Sequence, residues 1–85
     1  MITKSVVVQL EAGPEARSIA KLVLVANKYQ SSIYLNNIQG SVNAKSIMGM
    51  MTLGLASGDE IEVRAEGNDE QHAIVDIEKC LRQEA

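Results

Sequence analysis

The chain has 85 residues, 46% of them hydrophobic, enough for one small core that removes roughly 60 to 65% of the extended-chain surface from water. Eight basic and eleven acidic residues give a net charge of -3 without a cluster of Lys or Arg, which excludes direct nucleic-acid binding by phosphate neutralisation. Tyr29 and Tyr34 are the only aromatic residues, too few for a base-stacking platform, so the core is aliphatic.

From Ser5 the residues alternate, Val6, Val8 and Leu10 against Val7, Gln9 and Glu11, the period of a half-buried strand that Gly13 and Pro14 stop. From Ala16 to about Lys28, Ile19, Leu22, Val23 and Ala26 fall at i, i+3, i+4 and i+7, a helical stripe that Leu24 and Val25 widen. "SSIYLNN" alternates around Ile33 and Leu35, and Gly40 separates it from "SVNA", which predicts a hairpin with a polar turn. "SIMGMMTLG" opens on a capping serine, Ser46, and closes on Gly54, the size of a two-turn helix, with Gly49 weakening it by about 1 kcal/mol relative to Ala. "SGD" is a turn and "EIEVRAE" a fourth strand, with Ile61, Val63 and Ala65 on one side. Asn68 is a candidate cap for a last helix, with Gln71 as its capping-box partner and Ala73, Ile74, Ile77, Cys80 and Leu81 as its apolar face.

The order βαββαβα predicts an α+β fold, a four-stranded antiparallel sheet with three helices on one face and the beginnings of the first two helices at one end. No linker, low-complexity tract or repeat divides residues 1–85, so one domain is expected. A lone cysteine forms no internal disulfide, "MITKSVVVQL" lacks the features of a secretory leader, and no apolar run approaches the ~20 residues of a membrane span. A cytoplasmic protein without a membrane partner is the expectation.

One His and one Cys do not make a nucleophilic triad or a metal site, so neither catalysis, a metal nor a cofactor is predicted. His72 lies off the apolar stripe of its helix, and Cys80 lies on it as an inert thiol. Asp69 and Glu70 open a helix, where negative charge is stabilising and a capping role suffices. Two helix N-termini resist so plain a reading. Ser46 caps a short helix whose Ile47, Met48, Met50 and Met51 cannot all face the sheet, leaving an adaptable apolar surface beside the hydroxyl. In "GPEARS", Arg17 and the first helical amides make an anion site, but Glu15 stands where the anion would sit.

These residues resemble the HPr family of small phosphocarrier proteins of the bacterial sugar phosphotransferase system, over essentially the whole chain. "NAKSIMG" is similar to the family's regulatory-serine segment and "GNDEQ" to its acidic turn before the last helix. Against the family's Gly-Leu-His-Ala-Arg-Pro, "GPEARS" keeps Gly13, Ala16 and Arg17 and departs at Pro14, Glu15 and Ser18. The phosphoacceptor histidine thus falls on Glu15. An imidazole with a pKa of about 6.5 is nucleophilic near neutrality, whereas an ionised glutamate repels the phosphoryl donor.

A serine segment without the histidine resembles the Crh branch of the family. That resemblance implies a regulatory phosphoprotein, not an enzyme, modified on Ser46 by HPr kinase/phosphorylase and then binding a CcpA-type transcription regulator as corepressor. Ile47, Met48, Met51, Arg17 and Glu15 are the expected partner-binding residues, and a monomer or weak homodimer the expected state. Crh has glutamine at the lost-histidine position, so Glu15 departs there as well. An atypical phosphocarrier using Glu15 and an HPr-like binding module that is never phosphorylated are the alternatives.

Overall fold

The computed structural model describes residues 1–9, 15–38, 40–53 and 58–82, with side chains in the first helix from Ile19 onward. The elements run β1 (Ile2–Val7), α1 (Glu15–Ala26), β2 (Ser32–Asn37), β3 (Gly40–Asn43), α2 (Ile47–Leu53), β4 (Glu60–Glu66) and α3 (Glu70–Arg82). The strands form one antiparallel sheet in the order β1-β4-β2-β3. This is the expected α+β fold.

The period-2 patterns set which face is covered. Val6 pairs with Ile61 on β4, and β4 in turn sets Val63 opposite Leu35 and Ala65 opposite Ile33. All of these side chains are buried, whereas Val7, Glu60, Arg64, Glu66, Ser32 and Tyr34, of the opposite parity, are exposed. A one-residue slip would exchange the two sets, so burial fixes the register. On the covered side the core is completed by Ile19, Leu22 and Ala26 of α1, Met50 and Leu53 of α2, and Ala73, Ile74, Ile77 and Leu81 of α3.

β1 begins at Ile2, earlier than the alternation from Ser5 predicts, and Leu10 lies outside the described residues. Lys4 hides its first half, being a charge at a position of inward parity. The conflict is resolved at the sheet edge, where Lys4 Nζ donates to Glu78 Oε1 of α3 at 2.7 Å and Arg82 lies 3.3 Å from Glu78 Oε2. The ladder continues past β1 through Val8, whose N–H donates to the Asp59 carbonyl at 2.8 Å and whose carbonyl accepts from Gly58 N–H at 2.7 Å.

The hairpin turn lies between Asn37 and Gly40, which are themselves paired, so Gly40 belongs to β3 rather than separating the strands. The capping box of the last helix also shifts by one. Glu70 Oε1 accepts from the backbone N–H of Gly67 at 3.2 Å, the reciprocal contact expected of Gln71 with Asn68. Leu24 does not widen the buried stripe of α1. It sits 100° round the helix from Val23 and faces solvent, 68% exposed.

Candidate functional site: the start of α2

Residues 43–46 place a serine hydroxyl at the solvent end of a short helix. Ala44, fully buried, donates its N–H to the Ile33 carbonyl at 2.9 Å and pins the turn to β2. Asn43 then accepts twice, at Oδ1 from Lys45 N–H at 2.8 Å and at its carbonyl from Ser46 N–H at 3.0 Å. Such an asparagine-centred turn delivers the chain to the helix with Ser46 in the cap position. Ser46 Oγ accepts from Gly49 N–H at 3.3 Å, and the Ser46 carbonyl receives the first helical bond from Met50 N–H at 3.0 Å.

Behind the cap, α2 divides its apolar residues as expected. Met50 and Leu53 are buried, while Ile47, Met48 and Met51 are 47, 78 and 57% exposed. Ser46 itself is exposed, and no acidic residue stands in the first turn of α2. An added negative charge on Ser46 would meet the helix N-terminus and no carboxylate of its own helix.

The neighbouring support comes from the end of α1. Asn27 Nδ2 donates to the Val23 carbonyl at 2.9 Å and to the Lys45 carbonyl at 3.3 Å, and Lys45 Nζ donates to the Tyr29 carbonyl at 2.7 Å. The start of α2 therefore adjoins the end of α1, whereas the two helix starts were expected together. The first turn of α1 lies roughly 18 Å of helix away from Asn27. The backbone of Glu15 and Arg17 is helical, and their side chains lie outside the described residues, as do Gly13 and Pro14 altogether.

The paired acids hold structure together. Asp69 accepts from the N–H groups of Gln30 at 2.9 Å and Ser31 at 3.0 Å and from the Ser31 hydroxyl. The hydroxyl bond, followed by the Gln30 amide, draws the Asp69 carboxyl below its ordinary pKa. Glu70 is lowered as well, chiefly by its hydrogen bond from the terminal amine of Met1, 3.2 Å from Oε1. The Tyr29 hydroxyl donates to Asp76, and this bond, with burial and the Asp76 charge, pushes the phenol up to about 12. His72 is exposed; Cys80 is half-buried, its thiol pushed up by burial. Among the described residues no three His, Cys, Asp or Glu side chains are placed to hold a metal.

The family described as "PTS HPr component phosphorylation site" matches residues 2–83. The chain belongs to the HPr family. It is 46% identical over 74 residues to the HPr-like protein Crh of Halalkalibacterium halodurans, covering 87% of this chain and 88% of that one. To the HPr-like protein Crh of Bacillus subtilis it is 38% identical over 84 residues, 99% of each chain. Among solved structures, the phosphocarrier protein HPr of Bacillus anthracis superposes with a TM-score of 0.89 at 35% identity, covering 94% of this chain and 95% of that one. The crystal structure of Bacillus subtilis Crh, described as a dimer with a swapping domain, gives a TM-score of 0.79 at 38% identity over 100% of this chain and 98% of that one. The βαββαβα order of this chain is that of its HPr and Crh relatives.

The residue that sequence reasoning missed is Leu24. Its position 200° from Leu22 on a helical wheel was the available signal, obscured by the unbroken apolar run "LVLVA".

Proposed function

We propose that this HPr-family chain, one HPr-like domain over residues 1–85, is a regulatory phosphoprotein of the Crh type. HPr kinase/phosphorylase modifies Ser46, and the phosphoprotein binds a CcpA-type transcription regulator as a corepressor in carbon catabolite repression. It is not an enzyme, does not carry phosphate to sugars, and works in the cytoplasm. The observation that carries this reading is the exposed capping hydroxyl of Ser46 beside three exposed apolar side chains, Ile47, Met48 and Met51.

Phosphorylation adds a charge of about -1.5 to -2 at Ser46, where the helix dipole favours an anion by about 0.3 to 1 kcal/mol. The helix stays folded and the phosphate acts as a binding charge. A partner that offers an arginine or lysine to the phosphate and an apolar hollow to Met48 gains from both. The similarity to relatives solved as dimers, including the swapped Bacillus subtilis Crh, supports a weak homodimer. β1 is an edge strand, joined to the sheet only through β4, so its exchange between two copies would leave the pairing of the other three strands intact.

Incubation with the kinase and ATP tests the reading. A single phosphate appears by mass on the native chain and not on Ser46→Ala, and only the phosphorylated chain binds the regulator in a titration. Equal modification and equal binding by Ser46→Ala would sink it.

A further inference from the structure

The sheet has two edge strands, β1 and β3, and they are guarded differently. β1 carries Lys4, a charge of inward parity held by Glu78 at 2.7 Å, and a charge so placed blunts an edge against pairing with another chain. β3 carries no such guard, its residues being Gly40, Ser41, Val42 and Asn43. Ala44 N–H donates to the Ile33 carbonyl at 2.9 Å, so the alternation of the ladder turns the backbone groups of Val42 toward β2 and those of Ser41 and Asn43 outward. Ser41 therefore presents its N–H and C=O at the open edge, and Asn43 its N–H. The Asn43 carbonyl, which takes Ser46 N–H at 3.0 Å, keeps a second lone pair.

Charge decides what fits there. Residues 29–44 include no Asp, Glu, Lys, Arg or His, and Lys45 is the only charged residue from 29 to 58. Its ammonium is bound to the Tyr29 carbonyl at 2.7 Å. Two copies of a chain of net charge -3 repel one another, but at this hairpin they meet with no like charges in contact. The edge is also self-complementary. Antiparallel pairing about a two-fold axis at Val42 sets Ser41 of each copy against Asn43 of the other, matching every outward donor to an outward acceptor. Beside the axis a hollow of about 160 Å³, lined by Gly40, Ser41, Val42, Thr52 and Leu53, leaves room for the second copy's valine. The same pairing lays Ile38 of one copy, 99% exposed between β2 and β3, toward the start of α2 of the other, where Ile47 is 47% exposed.

We propose that β3 is a self-association edge to which a second copy of this chain adds, Ser41 N–H donating to the Asn43 carbonyl and Asn43 N–H to the Ser41 carbonyl across the axis. Two such bonds from each copy join the two four-stranded sheets into one. Each copy keeps its own β1, so the contact differs from strand exchange, and an edge of four residues makes it weak and reversible. It requires neither a kinase nor a regulator and goes beyond the proposed function.

Sedimentation of the unphosphorylated chain is followed up to about 1 mM, where a weak contact is populated. The native mass is expected to rise toward twice that of the monomer. Ser41→Pro removes one outward N–H per copy and no bond to β2, and it is expected to raise the dimer Kd by about tenfold. Ser41→Lys, which puts a charge on the edge, is expected to raise it at least as far. Both are checked for unchanged thermal unfolding. In a Cys80→Ser background, Val42→Cys tests the axis. A non-hydrogen-bonded pair brings its Cα atoms to about 4.5 Å, within disulfide range, so oxidation is expected to link two chains. A native chain that stays monomeric at about 1 mM overturns the inference. So does a dimer whose Kd moves less than about twofold in the Ser41 variants, or one that Val42→Cys fails to link, the results that exchange of β1 would give. If the Ser41 variants lose their fold, the Val42→Cys link alone decides.

Discussion

Asp69, at the entrance to α3, closes on Ser31, at the entrance to β2, through both the amide and the hydroxyl of that residue, and takes the Gln30 amide on its other oxygen. Ser31 is the only buried polar residue among those described, 1% exposed, and the carboxylate is what satisfies it. These bonds are made to the charged form, so the folded pKa lies below the ordinary carboxyl value of 3.8. The unfolded chain therefore binds the proton more tightly. The stabilisation is complete above that unfolded value and is lost as the pH falls through the depressed one. Urea unfolding of the native chain should show stability falling on the acid side of pH 4, and Asp69→Asn should be less stable at neutral pH with a shallower acid slope. An unchanged slope in the variant would assign the acid sensitivity elsewhere, with Glu70 the next candidate.

Gly67 faces the same serine. Its φ of +153° suits glycine, and a Cβ there would stand 2.7 Å from the Ser31 Cα and 2.6 Å from its Oγ. Backbone on one side and a hydrogen-bonded hydroxyl on the other leave nothing flexible to yield. Gly67→Ala should lose more than about 2 kcal/mol of stability, whereas Gly40→Ala, with open space around its Cβ, loses only its backbone strain. Denaturation midpoints of the two variants check the difference, and equal losses would show that the close approach to Ser31 does not matter.

At the alkaline end Tyr29 reports with the opposite sign. The phenol is held protonated by its bond to Asp76, and its pKa rises from 10.0 to about 12. The unfolded chain loses that proton first, so the contribution is present below the unfolded value and disappears as the pH rises toward the folded one. Thermal unfolding should therefore drop in midpoint above pH 10, and Tyr29→Phe should remove most of that drop while lowering stability at neutral pH. A drop of the same size in the variant would contradict it.

Much of the fold was legible because burial and periodicity agree. In β4 every second residue is apolar and buried, and in α3 Ala73, Ile74, Ile77 and Leu81 are both the predicted face and the observed core. At Lys4 and in the packing of α2, a residue's neighbours in space, not its neighbours in sequence, decided its role. Lys4 breaks the alternation of β1 because Glu78 waits across the sheet edge. Leu24 sits in a run where the wheel angle, not the hydropathy, separates inside from outside. At the site, Ser46 and the division between Met50 and its exposed neighbours follow from the pattern. The apposition of α2 to the end of α1 depends on Asn27 reaching Lys45 across 18 residues, which no local signal carries.

Gly49 tests whether the short helix is under-stabilised by its own sequence. An added Cβ would lie 3.5 Å from Ser46 Oγ and from Val42 Cβ, ordinary contact distances. Gly49→Ala should therefore gain about 1 kcal/mol, the helix-propensity difference, with no clash to offset it. A urea titration reads the gain. A loss of stability would mean that the hydroxyl cap at Ser46 is displaced by the new methyl.

Glu15 stands where the phosphoacceptor histidine is expected, at the first residue of α1, and Arg17 follows in the same turn. A carboxylate at neutral pH repels the phosphoryl group and yields only a labile acyl phosphate, whereas imidazole attacks through a neutral nitrogen. The native chain should accept no phosphate from phosphoenolpyruvate and Enzyme I, followed by acid-labile label on the protein. Glu15→His supplies the nitrogen and removes the charge, and it should restore partial acceptance if the helix amides and Arg17 are still aligned on the site. Full silence of Glu15→His would place the block at Pro14 or Ser18, the other two departures from the family pattern, and Pro14→Leu and Ser18→Pro added in turn would show which. Acid-labile phosphate on the native chain would overturn the prediction and return the molecule to the carriers.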